Sequence, residues 1–260
     1  MKHLRVIKST LTLQMKSSFA RPMFRFCLIA NPVANTILLY EMFRGSAREN
    51  FTSYVILGAG LMGLWSCICF SSAGDINRER FSGTLPLIFA APVRFSTIIL
   101  GKIIGNTFLS LVTLLLSFIT ALALYGIWPQ IESPLYLLLS LFVTIICFIS
   151  ISTITAYLLT LSRKTQLYMN CIEIPVILLC GFVFPVEMLP RFLWPISYAL
   201  SPTWAVKLMH MSVAGVSDIA AYWQTFAILA GMTAMYMILG ALLERRIDKQ
   251  VRINATLEVM

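Results

Sequence analysis

The residues able to do chemistry are concentrated in one internal segment, Asp75-Ile-Asn-Arg-Glu-Arg-Phe-Ser-Gly-Thr-Leu-Pro-Leu-Ile-Phe-Ala-Ala-Pro-Val-Arg94, followed closely by Gly101-Lys102. Glu79 stands between Arg78 and Arg80, an arrangement suited to an ion pair across a subunit boundary. Gly83-Thr84 permits a turn or a helix start. Pro86 and Pro92 hold any helix here to a turn or two, because proline lacks the amide proton and clashes with the preceding turn. Phe81, Leu85, Leu87, Ile88 and Phe89 add a short apolar surface. An ordinary solvated loop is the alternative; the length and apolar content of the segment favour a docking element.

Elsewhere the usual catalytic patterns are missing. Gly101-Lys102 lacks the preceding glycine that a phosphate-binding loop requires, and an apolar helix follows it. There is no His-Glu-x-x-His, and no serine occupies a nucleophile-elbow pattern. The six cysteines (Cys27, Cys67, Cys69, Cys147, Cys171 and Cys180) lie in or beside apolar stretches without zinc spacing and read as small buried apolar side chains. The sequence therefore predicts no catalysis by this chain and no bound cofactor or metal.

Two polar features fall within apolar stretches. Glu173 lies about ten residues beyond Arg163-Lys164, roughly 15 Å along a helix. A carboxylate at that depth is costly and suggests a substrate cation, a proton site or a partner on another helix. A protonated or capped Glu173 packed inside a dimer is the alternative. Asn31 and Asn35, around Pro32, either line a path or hydrogen-bond between helices.

These residues must be positioned by a chain of 260 residues, 58% hydrophobic and 12% charged, with mean hydropathy +0.83. Soluble domains carry about a quarter charged residues, so the deficit argues for lipid as solvent. A spanning helix needs about 20 apolar residues. Six stretches qualify: residues 22–43, 51–73, 98–127, 135–162, 165–184 and 219–243. The fold class is all-α integral membrane, with residues 21–260 as one transmembrane domain. With the N-terminus inside, fourteen lysines and arginines fall in cytoplasmic segments and four outside, while Arg25 and Lys102 sit near inner helix ends. That bias places both termini in the cytoplasm. It also accounts for the net charge of +9 without nucleic acid.

Residues 1–20 carry Leu4, Ile7, Leu11, Met15 and Phe19 at three- and four-residue steps, with basic residues elsewhere around the wheel. This pattern predicts an amphipathic helix at the inner lipid interface; a basic leader that only sets topology is the alternative. The first 21 residues lack the continuous apolar core of a cleavable signal. Between the last two spans, Phe184-Pro-Val-Glu-Met-Leu-Pro-Arg-Phe-Leu-Trp-Pro195 and Leu200-Ser-Pro-Thr-Trp204 are apolar but broken by proline. They predict short re-entrant helices in the outer leaflet, with Trp194, Tyr198 and Trp204 at headgroup level. Gly101-x-x-x-Gly105, with Gly58, Gly60 and Gly63, permits close helix packing.

Glu79-Arg-Phe-Ser-Gly-Thr-Leu, then Ala91-Pro-Val-Arg, then Leu100-Gly-Lys102 resemble the first cytoplasmic loop of ABC-2 type transporter permeases. The resemblance continues through Gly181-Phe-Val-Phe-Pro-Val-Glu-Met-Leu-Pro190, Leu200-Ser-Pro-Thr-Trp-Ala-Val206 and the N-terminal amphipathic segment, so it covers essentially the whole chain. It departs at Pro86, where the family more often has a charged or polar residue. The resemblance implies a coupling helix involving Arg78, Glu79, Arg80, Gly83, Thr84 and Pro92, docked on a separate ABC ATPase present in two copies that binds ATP and Mg. It further implies a second copy of this or a similar permease, membrane lipid around the pair, a bacterial plasma membrane, and export of an amphipathic drug, antibiotic or peptide, or of a glycan or glycolipid. Glu173, Asn31 and Asn35 would then belong to the substrate path. A stand-alone channel or ion-coupled carrier using Glu173 is the competing function, and a lipid-modifying membrane enzyme is a third.

Overall fold

The computed structural model describes residues 2–43, 51–84, 87–88, 95–126, 132–160, 165–216 and 218–254. The long helices in chain order are α1 (Lys2–Phe19), α2 (Pro22–Phe43), α3 (Phe51–Phe81), α4 (Phe95–Tyr125), α5 (Pro134–Thr160) and α6 (Thr165–Leu179). Two 3-10 turns, Val186–Met188 and Arg191–Leu193, lead into α7 (Trp194–Ala199) and α8 (Ser201–Val213), and the long α9 (Ile219–Asn254) follows. No strand occurs among the described residues. Stretches within α2, α4, α5 and α9 are long and apolar enough to cross a membrane, and α3 contains a shorter apolar stretch, Val55–Cys69.

The side-chain distribution is the inverse of a soluble protein's. On α4, Asn106, Ser110, Thr113, Ser117 and Thr120 recur at three- and four-residue steps and are all buried. The opposite face of that helix carries Phe108, Leu115 and Ile119, with Leu115 62% exposed. On α5, Ser140, Thr144, Cys147 and Ser152 are buried while Leu138 and Phe142 face out. Such a surface is stable only against lipid, where large apolar side chains cost nothing and small residues let helix backbones approach. Most of the buried hydroxyls satisfy themselves on their own helix. Ser110 donates to the Asn106 carbonyl at 2.7 Å, Ser117 to Thr113 at 3.1 Å and Thr120 to Leu116 at 2.7 Å. Helices can therefore bury most of these residues without leaving orphaned donors; the Thr144 hydroxyl is an exception, buried without a partner.

The centre is built on Trp65 of α3, fully buried and edge-on to Phe148 of α5, with ring centroids 5.2 Å apart. Phe182, just after α6, completes this aromatic cluster. The proline-broken region that follows reaches the core through Val186, Ser197 and Ser201 to Thr203, while Met188, Phe192 and Ile196 stay exposed. Pro185 and Pro190 sit just ahead of the two 3-10 turns. Pro195 and Pro202 occupy the first turns of α7 and α8, where a missing amide proton goes unnoticed. The short helices read from the sequence are present. Cys67, Cys69, Cys147 and Cys180 are buried, as the apolar reading of the cysteines expects, but Cys27 is only partly buried and Cys171 is exposed.

Gly58 shows how tight the centre is: a Cβ there would run into the backbone carbonyl of Phe182. Gly231 on α9 has no such neighbour within 4 Å. Gly58→Ala should lower the thermal midpoint of the detergent-solubilised chain, costing about 1–3 kcal/mol as an overpacked site does. Gly231→Ala, melted alongside it, should leave the midpoint unchanged or raise it.

Candidate functional site

Helix α3 does not stop where the apolar stretch ends at residue 73 but runs on through Asp75, Arg78, Glu79 and Arg80 to Phe81. Arginine and glutamate are good helix formers, so nothing in this stretch interrupts the helix once it leaves the apolar region. Gly83 stops it. Its φ of +65° is left-handed, its N–H bonds the Arg80 carbonyl at 3.1 Å, and the Thr84 N–H reaches back to the Glu79 carbonyl at 2.9 Å. These two bonds make a Schellman motif, which closes the orphan carbonyls of a helix end and favours glycine at the left-handed position. The Thr84 carbonyl then accepts the Ile88 N–H at 3.1 Å, opening the next helical turn at Leu87 and Ile88. Gly83-Thr84 is both a stop and a start. Pro92 lies outside the described residues.

The Glu79 side chain makes its ion pair within the chain. Lys102 on α4 donates to one carboxylate oxygen and the Thr84 hydroxyl to the other. Burial pushes this carboxyl upward, but the Lys102 and Thr84 hydrogen bonds and the Lys102 and Arg78 charges outweigh it and hold the group below the usual glutamate range. The result is a charged latch between the end of α3 and α4. Beyond it, Phe81 is 84% and Leu87 68% exposed. Two large apolar side chains thus flank the turn.

One helical turn deeper lies a buried polar network that the sequence reading missed. The Asp75 carboxylate accepts from Arg21 at 2.9 Å, from the Asn106 amide at 2.9 Å and from the Gln14 amide. Ser18 donates to the Asn106 oxygen at 2.6 Å and accepts from Arg21 at 2.6 Å. Gln14, Ser18, Asp75 and Asn106 are all buried. Burial pushes the Asp75 carboxyl upward; the Arg21, Lys102 and Arg78 charges and the Asn106 hydrogen bond oppose this without cancelling it. The network joins α1, α3 and α4 through side chains alone. The signal for it was the spacing of Gln14 and Ser18, four residues apart on one face of α1, with Arg21 three residues on at the link to α2.

The same face of α1 explains Gly101 and Gly105. A Cβ on Gly101 would lie 3.1 Å from Thr10 Cβ, and one on Gly105 would lie 3.0 Å from the Leu11 carbonyl oxygen. The glycine pair thus seats α1 on α4.

The polar residues of the spans are placed elsewhere. Asn35 donates to the Asn31 side chain at 3.1 Å, so this pair is joined along its own helix. Glu173 on α6 hydrogen-bonds Ser66 of α3, and Cys27 of α2, one turn from Asn31, is within its electrostatic reach. None of the three contacts the end of α3.

The sequence profile of a family described as ABC-2 family transporter protein matches residues 4–242. No curated protein matches the chain.

A buried ion pair that loses one member leaves the other stranded, at a cost of about 3–5 kcal/mol. Arg21→Met should therefore lower the stability of the solubilised chain and speed hydrogen exchange in α1. Adding Asp75→Leu should recover most of the loss, because the stranded charge is then gone. Additive losses in this cycle would show that the two side chains do not depend on each other.

Proposed function

The chain belongs to the ABC-2 transporter family and is a membrane-spanning permease of an ABC-type transporter; we propose that it is the permease subunit of an ATP-driven exporter moving an amphipathic substrate out of the cell. The observation that carries this reading is the end of α3, where Phe81 and Leu87 stand exposed around a Schellman turn latched to α4 by Glu79 and Lys102. A turn of fixed shape with an apolar tip suits docking into a groove of a soluble partner.

In this reading the partner is a separate ABC ATPase, present twice, which binds ATP and Mg; the permease binds no cofactor. The permease pairs with a second copy or a similar chain in a bacterial plasma membrane. Each copy crosses six times, both termini are cytoplasmic, and α7 and α8 sit in the outer leaflet. Arg78, Glu79, Arg80, Gly83, Thr84 and Pro92 form the coupling element, and Asn31, Asn35 and Glu173 border the path. Closure of the ATPases displaces the coupling element, and the latch carries that displacement into α4. The two halves then rock from inward-open to outward-open. Apolar spans with few charges suit a drug, antibiotic or peptide as cargo, ahead of a glycan or glycolipid. The hydrogen bond that Glu173 accepts from Ser66 gives that carboxylate a packing role, which weakens the case for a carrier acting alone.

Glu79→Ala should cut transport per ATP hydrolysed by about five- to tenfold, the scale of a coupling energy of 1–1.4 kcal/mol, with membrane insertion intact. The charge swap Glu79→Lys with Lys102→Glu should restore part of it; transport by Glu79→Ala at the wild-type ratio would remove the latch from the mechanism. The full chain should also co-purify with an ATP hydrolase, and liposomes holding the permease alone should not move cargo. Transport in those liposomes without ATP would sink the exporter reading.

A further inference from the structure

A cavity of about 250 Å³ opens between α4, α5 and α9, on the side of the helices that carries exposed leucine, phenylalanine and methionine. Its walls are apolar, with Leu100 from α4, Ile146 and Ile149 from α5, and Met237 from α9. Ser150 and Thr153 also border it, but their hydroxyls are spent on the Ile146 and Ile149 carbonyls at 2.8 and 2.7 Å. The polar groups gather at one end. There Ser96 hydrogen-bonds Tyr157, and the Glu244 carboxylate is within electrostatic reach of the Tyr157 ring. Among the described residues no lysine or arginine forms an ion pair with Glu244.

The dimensions limit the occupant. From Ile146 to Tyr157 the helix rises roughly 16 Å, close to half of a hydrocarbon core about 30 Å thick. The cavity therefore runs the depth of one leaflet, with its polar groups where headgroups lie. Its volume is below the roughly 300–1,000 Å³ of common ligand pockets, so it seats most of one chain, whose remaining side faces the opening, and is too small for a two-chain lipid body. The half-buried acidic group at its mouth selects the sign of the head.

We propose that this cleft binds a single apolar chain whose cationic amine head pairs with Glu244. The head belongs either to a soluble cationic amphiphile or to an amine-bearing lipid that lays one of its chains in the cleft. The site is separate from the latch and from Glu173 and does not depend on the direction of transport. It adjoins the proposed coupling element, because Ile88 packs on the cluster of Ile99, Ile103, Ala156 and Tyr157, joined by Leu243.

Native mass spectrometry of the full chain released from detergent, titrated with dodecylamine or dodecanol, tests this directly. Wild type should bind one dodecylamine about tenfold more tightly than dodecanol, as a charge-assisted hydrogen bond would provide. Glu244→Gln should erase that preference while leaving dodecanol binding unchanged. Gly240→Leu should abolish binding of both; its Cβ meets only Ile154 Cγ1 at 3.7 Å, so the helix tolerates it. Equal affinity of wild type for amine and alcohol, or undiminished amine binding by Glu244→Gln, would overturn the proposal. Competition then identifies the source: displacement of dodecylamine by phosphatidylethanolamine but not phosphatidylcholine assigns the site to a lipid, and displacement by neither assigns it to a soluble amphiphile.

Discussion

A carboxylate buried at the end of a membrane helix has to be answered by donors from somewhere, and at Asp75 that requirement organises the N-terminal half of the molecule. Left alone, such a charge would cost several kcal/mol in lost hydration. Gln14 of α1, Asn106 of α4 and Arg21 from the link between α1 and α2 answer it. To deliver them, α1 must lie with its Gln14–Ser18 face on α4, and it must end so that Arg21 reaches back. The chain does this by closing α1 at Ala20 and starting α2 at Pro22. The network specifies an arrangement more than it adds stability, since the Asp75 carboxyl remains pushed upward by its burial.

The remaining contacts are compatible with that arrangement because they are small. Helices immersed in lipid gain nothing from hiding leucine against each other, so their association relies on close backbone approach. Gly101 and Gly105 admit α1, Gly60 and Gly63 admit Leu114 and Thr113 of α4, and Gly58 admits the loop after α6. Most of the buried serines and threonines fill the remaining gaps while bonded to their own helix. Where a hydroxyl does cross between helices, as Ser140 does to Ser212 at 2.6 Å and to Tyr222 at 2.9 Å, it ties α5 to α8 and α9.

Much of this was legible in the residues. The charge deficit and apolar stretches pointed to membrane helices. The prolines between residues 184 and 202 marked short turns, and the glycine spacing marked close packing. Gly83-Thr84 was read as a turn or a helix start, and it is both. What escaped were relations between distant segments. The apolar stripe Ile7, Leu11, Met15 and Phe19 drew attention from Gln14 and Ser18 beside it, although these are the residues that end up buried. Phe19, assigned to the apolar face, is half exposed. Charge at Asp75 to Arg80 read as a loop because hydropathy marks where lipid ends, not where a helix ends. Glu79 looked outward for a partner because Lys102 is far away in sequence, and only the packing of α3 on α4 brings them together.

Two of the connections that leave the proposed coupling element differ in kind. The Glu79–Lys102 pair is directional and fixed at both ends by hydrogen bonds, so a displacement of the turn must carry α4 with it or break the pair. The Ile88 contact with Ile99, Ile103, Ala156 and Tyr157 is apolar and non-directional, and such contacts slide at little cost. A push on the turn therefore divides. The component carried by the latch moves α4, and with it α1 and the charged end of α3, because the Asp75 network and the glycine seat bind these three together. The component passing through Ile88 reaches α5 and α9 only through packing. Trp65 of α3 is locked edge-on against Phe148 of α5. What these two linkages leave free is therefore a pivot of α1, α4 and the charged end of α3 about that aromatic core, with the small cluster around Tyr157 as the surface that shears.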